Sequence, residues 1–182
     1  LPLPWAQSGN WAEETASLGN QEGFVDLYLD ADGGRVLVAL PAPHAEGVAL
    51  RAIQATGLTA GLGSNPIGLD RGRANAGEIV AFRKVGDKVI AEIENWTYRA
   101  SADNPLERKA VRDSFARSFV WSGEILGTGP EGELLVDLSS YLTRDTMDVR
   151  ARLKQHPKGG AFQISKDLSM PDVSAALAFP DN

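Results

Sequence analysis

Residues 78–95 read EIVAFRKVGDKVIAEIEN, and this stretch decides the fold class. Two runs rich in β-branched residues flank a Gly-Asp dipeptide at 86–87. In the second run Val89, Ala91 and Ile93 recur at every second position, which is the period of a half-buried strand. Two such runs joined by a tight two-residue turn predict an antiparallel β-hairpin.

Further β-prone runs lie on both sides of this hairpin, separated by turns rich in Asp, Gly and Pro. They are found at 24–29 and 35–40, at 119–126 and 133–137, and at 161–165. Residues 48–55 are also predicted as a strand, with a helix as the alternative because of their alanine content. The chain is therefore predicted to be rich in antiparallel hairpins.

Two helices are predicted late in the chain. The first covers about 104–118, because Asp103 or Asn104 before Pro105 can cap the free N–H groups and proline fits the first helical turn. The second covers about 139–155 and stops at the sequence HPKGG. Hairpins with two late helices predict a β-rich α+β fold, not the βαβ alternation of a parallel sheet.

The loop before the central hairpin is rich in glycine. Residues 56–72 read TGLTAGLGSNPIGLDRG, in which apolar residues are interleaved with five glycines. A flexible linker would lack these apolar residues, so we expect an ordered loop in which Leu62, Ile67 and Leu69 pack inward. The alternative is an ordinary long hairpin connection.

Polar side chains are concentrated in this loop and at the start of the first helix. Arg and Asp form directed, charge-assisted hydrogen bonds, and Asn fixes the local backbone in a glycine-rich turn. These residues either staple the loop to the helix start or form a surface that binds a ligand or contacts another domain. The candidates are Ser64, Asn65, Asp70 and Arg71 in the loop, and Arg99, Asp103 and Asn104 at the helix start.

Length and charge limit the partners that we expect. The 182 residues suit one domain at 21–182, preceded by a tail at 1–20 that Trp5 or Trp11 anchors. A net charge of −6 argues against a nucleic-acid partner, which needs concentrated Lys and Arg. No apolar run approaches the roughly 20 residues that span a bilayer, so no membrane span is predicted.

The chain contains few residues that could carry hydrolytic chemistry. It has no cysteine, and its only histidines are His44 and His156. No His-Glu-x-x-His motif or Gly-x-Ser-x-Gly elbow is present, and the glycine-rich loop lacks the Lys of a phosphate-binding loop. We therefore expect no catalytic residue, no metal ligand and no cofactor in this chain. A carboxylate pair for glycoside hydrolysis stays open, because such pairing is spatial.

Several strings in the chain resemble one particular domain. They are GFVDLYL at 23–29, GLGSNPIGLDRG at 61–72, YRASADNPLER at 98–108 and SFARS at 114–118. Together they resemble the domain of unknown function that precedes the catalytic domain in a bacterial family of zinc-dependent metalloproteases. The resemblance spans about residues 20–182.

This resemblance implies a function for the chain. In that family a His-Glu-x-x-His-x-x-Gly-x-x-His segment further along the chain holds zinc, so zinc is implied for the parent protein only. The resemblance implies a non-catalytic, periplasmic or secreted domain whose partner is the C-terminal catalytic domain of the same polypeptide. We expect the sequence to stop before that domain. The alternatives are a free-standing small-molecule or carbohydrate binding domain, or a hydrolase in its own right.

Overall fold

The computed structural model describes residues 11–44, 46–63, 66–97, 104–115, 117–158 and 160–180. Within these ranges a single antiparallel sheet of eight strands is accompanied by short helices. The strands are β1 (Gly19–Gln21), β2 (Asp26–Asp30), β3 (Arg35–Leu40), β4 (Val48–Gln54), β5 (Glu78–Val85), β6 (Lys88–Ile93), β7 (Ser118–Thr128) and β8 (Leu134–Asp137). The helices are α1 (Trp11–Thr15), α2 (Pro105–Ser114), α3 (Ser139–Leu142) and α4 (Val149–Gln155), with 3₁₀ turns at Lys166–Leu168 and Val173–Ala175.

The strand order is β1-β2-β3-β8-β7-β6-β5-β4. This arrangement confirms the predicted β-rich α+β class. The hairpins β2–β3, β5–β6 and β7–β8 lie where the sequence predicts them, and residues 48–54 form a strand and not a helix. None of the helices in the described ranges is long and apolar enough to cross a membrane.

Strand β7 joins the two halves of the sheet. Its first part, from Ser118 to Glu124, pairs with β6, and its last part, from Ile125 to Thr128, pairs with β8. The pairing register shifts in both parts, which is the signature of β-bulges that bend a strand. A bent central strand allows both halves of the sheet to contribute to one core.

The core lies between the halves of the sheet. Alternating residues of β3, β5, β6 and β8 point inward and are nearly inaccessible to solvent. Tyr141 of α3 completes the core, with its ring 5.3 Å from that of Phe82 and 5.6 Å from that of Trp121. The inward-facing set consists of Val38, Leu40, Val80, Phe82, Val89, Ala91, Leu134, Val136 and Tyr141.

The second predicted helix is broken in the structure. The segment 139–155 forms α3 and α4, and Asp148 between them has a left-handed backbone with φ of 52°. The carboxylate of Asp145 accepts hydrogen bonds from the N–H groups of Val149 (2.7 Å) and Arg150 (3.0 Å), so it caps a new helix start. Helical periodicity alone did not reveal this internal cap.

Two other predicted elements differ from the structure. The first helix stops at Ser114, short of the predicted 118, because the chain is already extended at Ser118 where β7 begins. Residues 161–165 form no strand, since β1 and β4 are the edges of the sheet and neither pairs with them.

The predicted tail at 1–20 contains α1 and the start of β1, and Trp5 lies outside the described residues.

Candidate functional site

The connection between β4 and β5, residues 55–77, contains the glycine-rich loop and folds back on itself. The N–H of Leu58 donates to the carbonyl of Arg73 (2.8 Å). Nearer the tip, the N–H of Leu62 donates to the carbonyl of Leu69 (2.9 Å). The described parts of the loop therefore form an irregular extension of the β4–β5 hairpin.

Close backbone contact explains the glycine at position 61. A Cβ added to Gly61 would lie 2.4 Å from the carbonyl oxygen of Leu69 and 2.5 Å from the backbone nitrogen of Arg71. Gly68 has a φ of +67°, in the left-handed region that favours glycine. These glycines therefore allow the two arms of the loop to approach each other closely.

The loop is anchored on the α3–α4 connection and on α4. Ile67 and Leu69 are buried, as predicted, with 6% and 2% of their surface exposed. The guanidinium of Arg152 donates to the carbonyl oxygens of Ile67 and Met147, each at 3.2 Å. The side-chain amide of Asn75 donates to a carbonyl of the α3–α4 connection (2.8 Å). These contacts join two segments that are about 80 residues apart in sequence.

An apolar groove of about 310 Å³ opens between this loop and α4, and we call it the loop groove. Leu62 lies at the groove and is 64% exposed. The prediction that Leu62 packs inward is wrong, because Ile67 and Leu69 occupy the buried positions of the loop. The groove is lined by Leu58, Ala60, Gly61, Leu62, Leu69, Val149 and Leu153.

The structure places three of the seven candidate residues. Asp70 and Arg71 lie in the loop, and Asn104 caps α2, where its side-chain oxygen accepts the N–H of Leu106 (3.0 Å). Within the described ranges no hydrogen bond or ion pair joins Asn104 to either loop residue. The other four candidates, Ser64, Asn65, Arg99 and Asp103, lie outside the described residues.

Asp70 and Arg71 do not staple the loop to any other residue that the structure describes. Oxygen Oδ1 of Asp70 is buried and has no hydrogen-bond partner. Arg71 is exposed and takes part in none of the ion pairs between described residues. Arg152 holds the loop instead, and no local sequence signal links this helical arginine to a loop so far away along the chain.

The outer face of the β4–β7 half of the sheet carries a network of ion pairs. Glu92 is only 1% exposed, and one of its oxygens accepts hydrogen bonds from Arg83 (2.8 Å from Nη2) and Arg117 (2.9 Å). Beside it, the two carboxylate oxygens of Glu94 accept hydrogen bonds from Arg51 at 2.7 and 2.8 Å. These bonds lower the pKa of Glu94. Arg117 directly precedes β7, so its bond joins the start of β7 to β6.

Large apolar side chains are exposed on the same half of the sheet and on α2. Ile53 and Phe119 are 76% and 70% exposed on the β4–β7 half of the sheet, and Leu106 of α2 is 75% exposed. Helix α2 makes no more than isolated contacts with the other described helices and strands. This part of the surface is therefore not covered by the described chain.

A second cavity, of about 470 Å³, lies between α1 and the outer face of β2 and β3, and we call it the aromatic pocket. The rings of Trp11 and Tyr28 meet edge to face, with centroids 5.9 Å apart. Three carboxylates, those of Asp26, Glu131 and Glu133, line the same pocket. The described residues that line the pocket are Trp11, Gly23, Phe24, Val25, Asp26, Tyr28, Ala39, Pro41, Ala42, Pro130, Glu131 and Glu133.

The two histidines lie in separate turns. Nδ1 of His44 accepts the N–H of Glu46 (3.3 Å), and Nδ1 of His156 accepts the N–H of Lys158 (3.1 Å). Among the residues that the structure describes, no three His, Asp or Glu side chains are grouped closely enough to hold a metal ion.

Comparison with known proteins gave no relative. No protein-family model matches the chain, and neither a curated protein nor a solved structure matches it. The loop groove and the aromatic pocket are therefore the features from which a function can be proposed.

Proposed function

We propose that this chain is a non-catalytic domain that supports or covers the catalytic domain of a zinc-dependent metallopeptidase. The sequence resemblance suggests this partner, in the same polypeptide and outside the cytoplasm, and the zinc would be held by the catalytic domain. The observation that carries the proposal is the loop groove, an open apolar surface to which the most distinctive string of the resemblance, 61–72, contributes Gly61, Leu62 and Leu69.

The groove has the properties of a contact surface. Its lining is apolar, whereas Asp70 and Arg71 follow it directly in the loop. An apolar centre with polar neighbours is typical of surfaces that bind another protein. Ordering a glycine-rich loop costs more conformational entropy than ordering other sequences. The loop is ordered at this cost in free energy, and yet Leu62 stays exposed. This combination supports a role for the loop in contact with a partner.

Further exposed apolar side chains belong to α2 and β7. Leu106 of α2 and Phe119 of β7 are exposed, and α2 makes no more than isolated contacts with the other described helices and strands. Burying such side chains contributes about 1.5–3 kcal/mol each. A catalytic domain seated on this region would therefore gain free energy from surface that this chain leaves exposed.

The test uses the full-length protein that contains this chain. The gene beyond the codon for Asn182 should encode the zinc-binding His-Glu-x-x-His-x-x-Gly-x-x-His segment. Leu62→Asp should then lower peptidase activity about tenfold or more, because a carboxylate in the apolar contact is desolvated without a partner. Leu168→Asp is the matched control, since Leu168 is 85% exposed and lies outside the groove.

Two results would overturn the proposal. One is a full-length gene that encodes no such segment. The other is a full-length enzyme in which Leu62→Asp and Leu168→Asp have the same activity as the unmodified protein.

A second candidate function is a binding domain for a small molecule or carbohydrate. The aromatic pocket favours it, because Trp11 and Tyr28 line the pocket together with polar side chains. Ligand sites of this size commonly combine aromatic walls with a few polar groups. Calorimetry with the isolated chain distinguishes the two proposals. A binding domain should bind a small ligand, whereas a domain that only contacts a catalytic domain should not.

A further inference from the structure

We propose that the aromatic pocket binds an organic cation, an alkylammonium or guanidinium group of side-chain size. This inference rests on the second candidate function and specifies its ligand class. It does not depend on docking at the loop groove, which lies in a different part of the chain.

The aromatic rings supply one half of the recognition. Trp11, Tyr28 and Phe24 all line the pocket, and Phe24 is 49% exposed. The face of an aromatic ring attracts a cation that lies within about 6 Å of its centroid, and tryptophan does so most strongly. A cation of side-chain size fits a cavity of about 470 Å³.

The carboxylates supply the other half. Oδ1 of Asp26 accepts the N–H of Gly23 (3.0 Å), and Oε2 of Glu133 accepts the N–H of Glu131 (3.0 Å). The pocket has three carboxylates, those of Asp26, Glu131 and Glu133. None of them forms an ion pair with a described residue. Their negative charge is therefore not neutralised within the described structure.

The balance of donors and acceptors points to the same ligand class. Ionised carboxylates only accept hydrogen bonds. Among the described lining residues, Trp11 and Tyr28 alone have side-chain donors, and none is basic. Residues 1–10, which precede α1, contain no Lys, Arg or His. A ligand that only donates hydrogen bonds and is positively charged matches this lining, whereas an anion is repelled.

A carbohydrate fits this lining less well. Sugar hydroxyls both donate and accept hydrogen bonds, so a sugar site commonly offers amides or basic side chains as well as carboxylates. The described lining contains no Asn, Gln, Lys, Arg or His. Neutral sugars would leave the charge of the carboxylates uncompensated.

The experiment is a calorimetric titration of the 182-residue chain. The cationic probes are N-acetyl-lysine methylamide, N-acetyl-arginine methylamide and choline, which distinguish a peptide side chain from a free quaternary amine. The neutral probes are N-acetyl-norleucine methylamide, similar in size to the lysine probe, and methyl glucoside. At least one cationic probe should bind about tenfold or more tightly than the neutral probes. Added salt should weaken this binding.

Variants identify the site. Glu131→Gln combined with Glu133→Gln keeps side-chain size and the acceptor for the backbone N–H, and should weaken cation binding about tenfold or more. Asp32→Asn combined with Asp167→Asn removes the same charge from exposed positions outside the pocket and should leave binding unchanged.

Three outcomes would overturn the inference. Unchanged cation binding by the Glu131 and Glu133 variant would place the site elsewhere. Binding of methyl glucoside in preference to every cation would keep the second candidate function and exclude this ligand class. Absence of binding by any probe at about 10 mM would overturn both the inference and the second candidate function.

Discussion

Arg83 donates two hydrogen bonds to a single carboxylate oxygen of Glu92, from Nε at 3.1 Å and from Nη2 at 2.8 Å. Glu92 is 1% exposed although the alternation of β6 places it on the face opposite the core. Arg117 donates a third bond to the same oxygen at 2.9 Å. A buried carboxylate needs such partners, because its desolvation costs several kcal/mol. Arg83 and Arg117 therefore supply the hydrogen-bond donors that this buried carboxylate needs on the outer face of the sheet.

Removing Arg83 should be strongly destabilising. We expect Arg83→Met to lower the free energy of unfolding by about 3–5 kcal/mol, because it leaves Glu92 with too few donors. Arg117→Met should cost less, since Arg117 is 47% exposed and Arg83 remains in place. Urea unfolding followed by tryptophan fluorescence measures both values.

The double variant Arg83→Met with Glu92→Leu tests the cause. Because it removes the buried charge together with its partner, it should be more stable than Arg83→Met alone. If the two substitutions instead add their separate costs, the destabilisation comes from lost packing and not from an unpaired carboxylate.

The glycine-rich loop gives a second prediction. Gly61→Ala should lower the free energy of unfolding by about 1–3 kcal/mol, because the added methyl group overlaps the carbonyl of Leu69. Hydrogen exchange at the N–H of Leu62 should become faster, since this N–H bonds to the same carbonyl. Gly160→Ala is the control, because the nearest atom to its added Cβ is 4.0 Å away. Equal effects of the two substitutions would contradict this account of the loop.

The sequence was sufficient to predict the local hairpins. In β5–β6 the period of two at Val89, Ala91 and Ile93 and the Gly-Asp turn are contained in adjacent residues, so the pairing could be read directly. The sequence does not predict in the same way that β7 joins the two halves of the sheet. This joining depends on where two bulges fall and on which strand each part of β7 meets, and both are long-range effects.

The candidate site was only partly predictable for the same reason. The ordering of the loop and the burial of Ile67 and Leu69 follow from apolar residues placed between glycines. The exposure of Leu62 and the bonds from Arg152 depend on α4, which is distant along the chain. The aromatic pocket likewise joins Trp11 to residues near position 131, and no spacing in the sequence indicates that contact.

Acid should weaken the pair of Arg51 and Glu94. Hydrogen bonds from Arg51, with a further one from the indole of Trp96 (2.8 Å), lower the pKa of Glu94 below its ordinary value of 4.5. A lowered pKa means that the contribution to stability is present above pH 4.5 and is lost as the pH falls through the folded-state value. Urea unfolding between pH 7 and pH 3 should show this loss.

Glu94→Gln isolates that contribution. At pH 7 the variant should be less stable than the unmodified chain by about 0.5–1 kcal/mol, as for a partly exposed ion pair. The difference should shrink as the pH falls below 4.5 and Glu94 takes up a proton. A difference that stays constant over this range would mean that the ionised form of Glu94 is not what Arg51 stabilises.

Substitutions at Asp70 and Arg71 distinguish two roles for these residues, contact with a partner and stabilisation of the fold. Asp70→Ala and Arg71→Ala should leave the melting temperature of the 182-residue chain nearly unchanged, because Oδ1 of Asp70 has no donor and Arg71 has no ion pair with a described residue. Under the proposed function, in which this surface contacts a catalytic domain, the same substitutions should reduce the peptidase activity of the full-length protein. Arg152→Met is the contrasting variant, since it removes the bond to the loop carbonyl of Ile67 together with the bond to the carbonyl of Met147, and it should lower the melting temperature by several degrees. If the Asp70 and Arg71 variants lose as much stability as Arg152→Met, both residues hold the loop in place and the surface they form is structural.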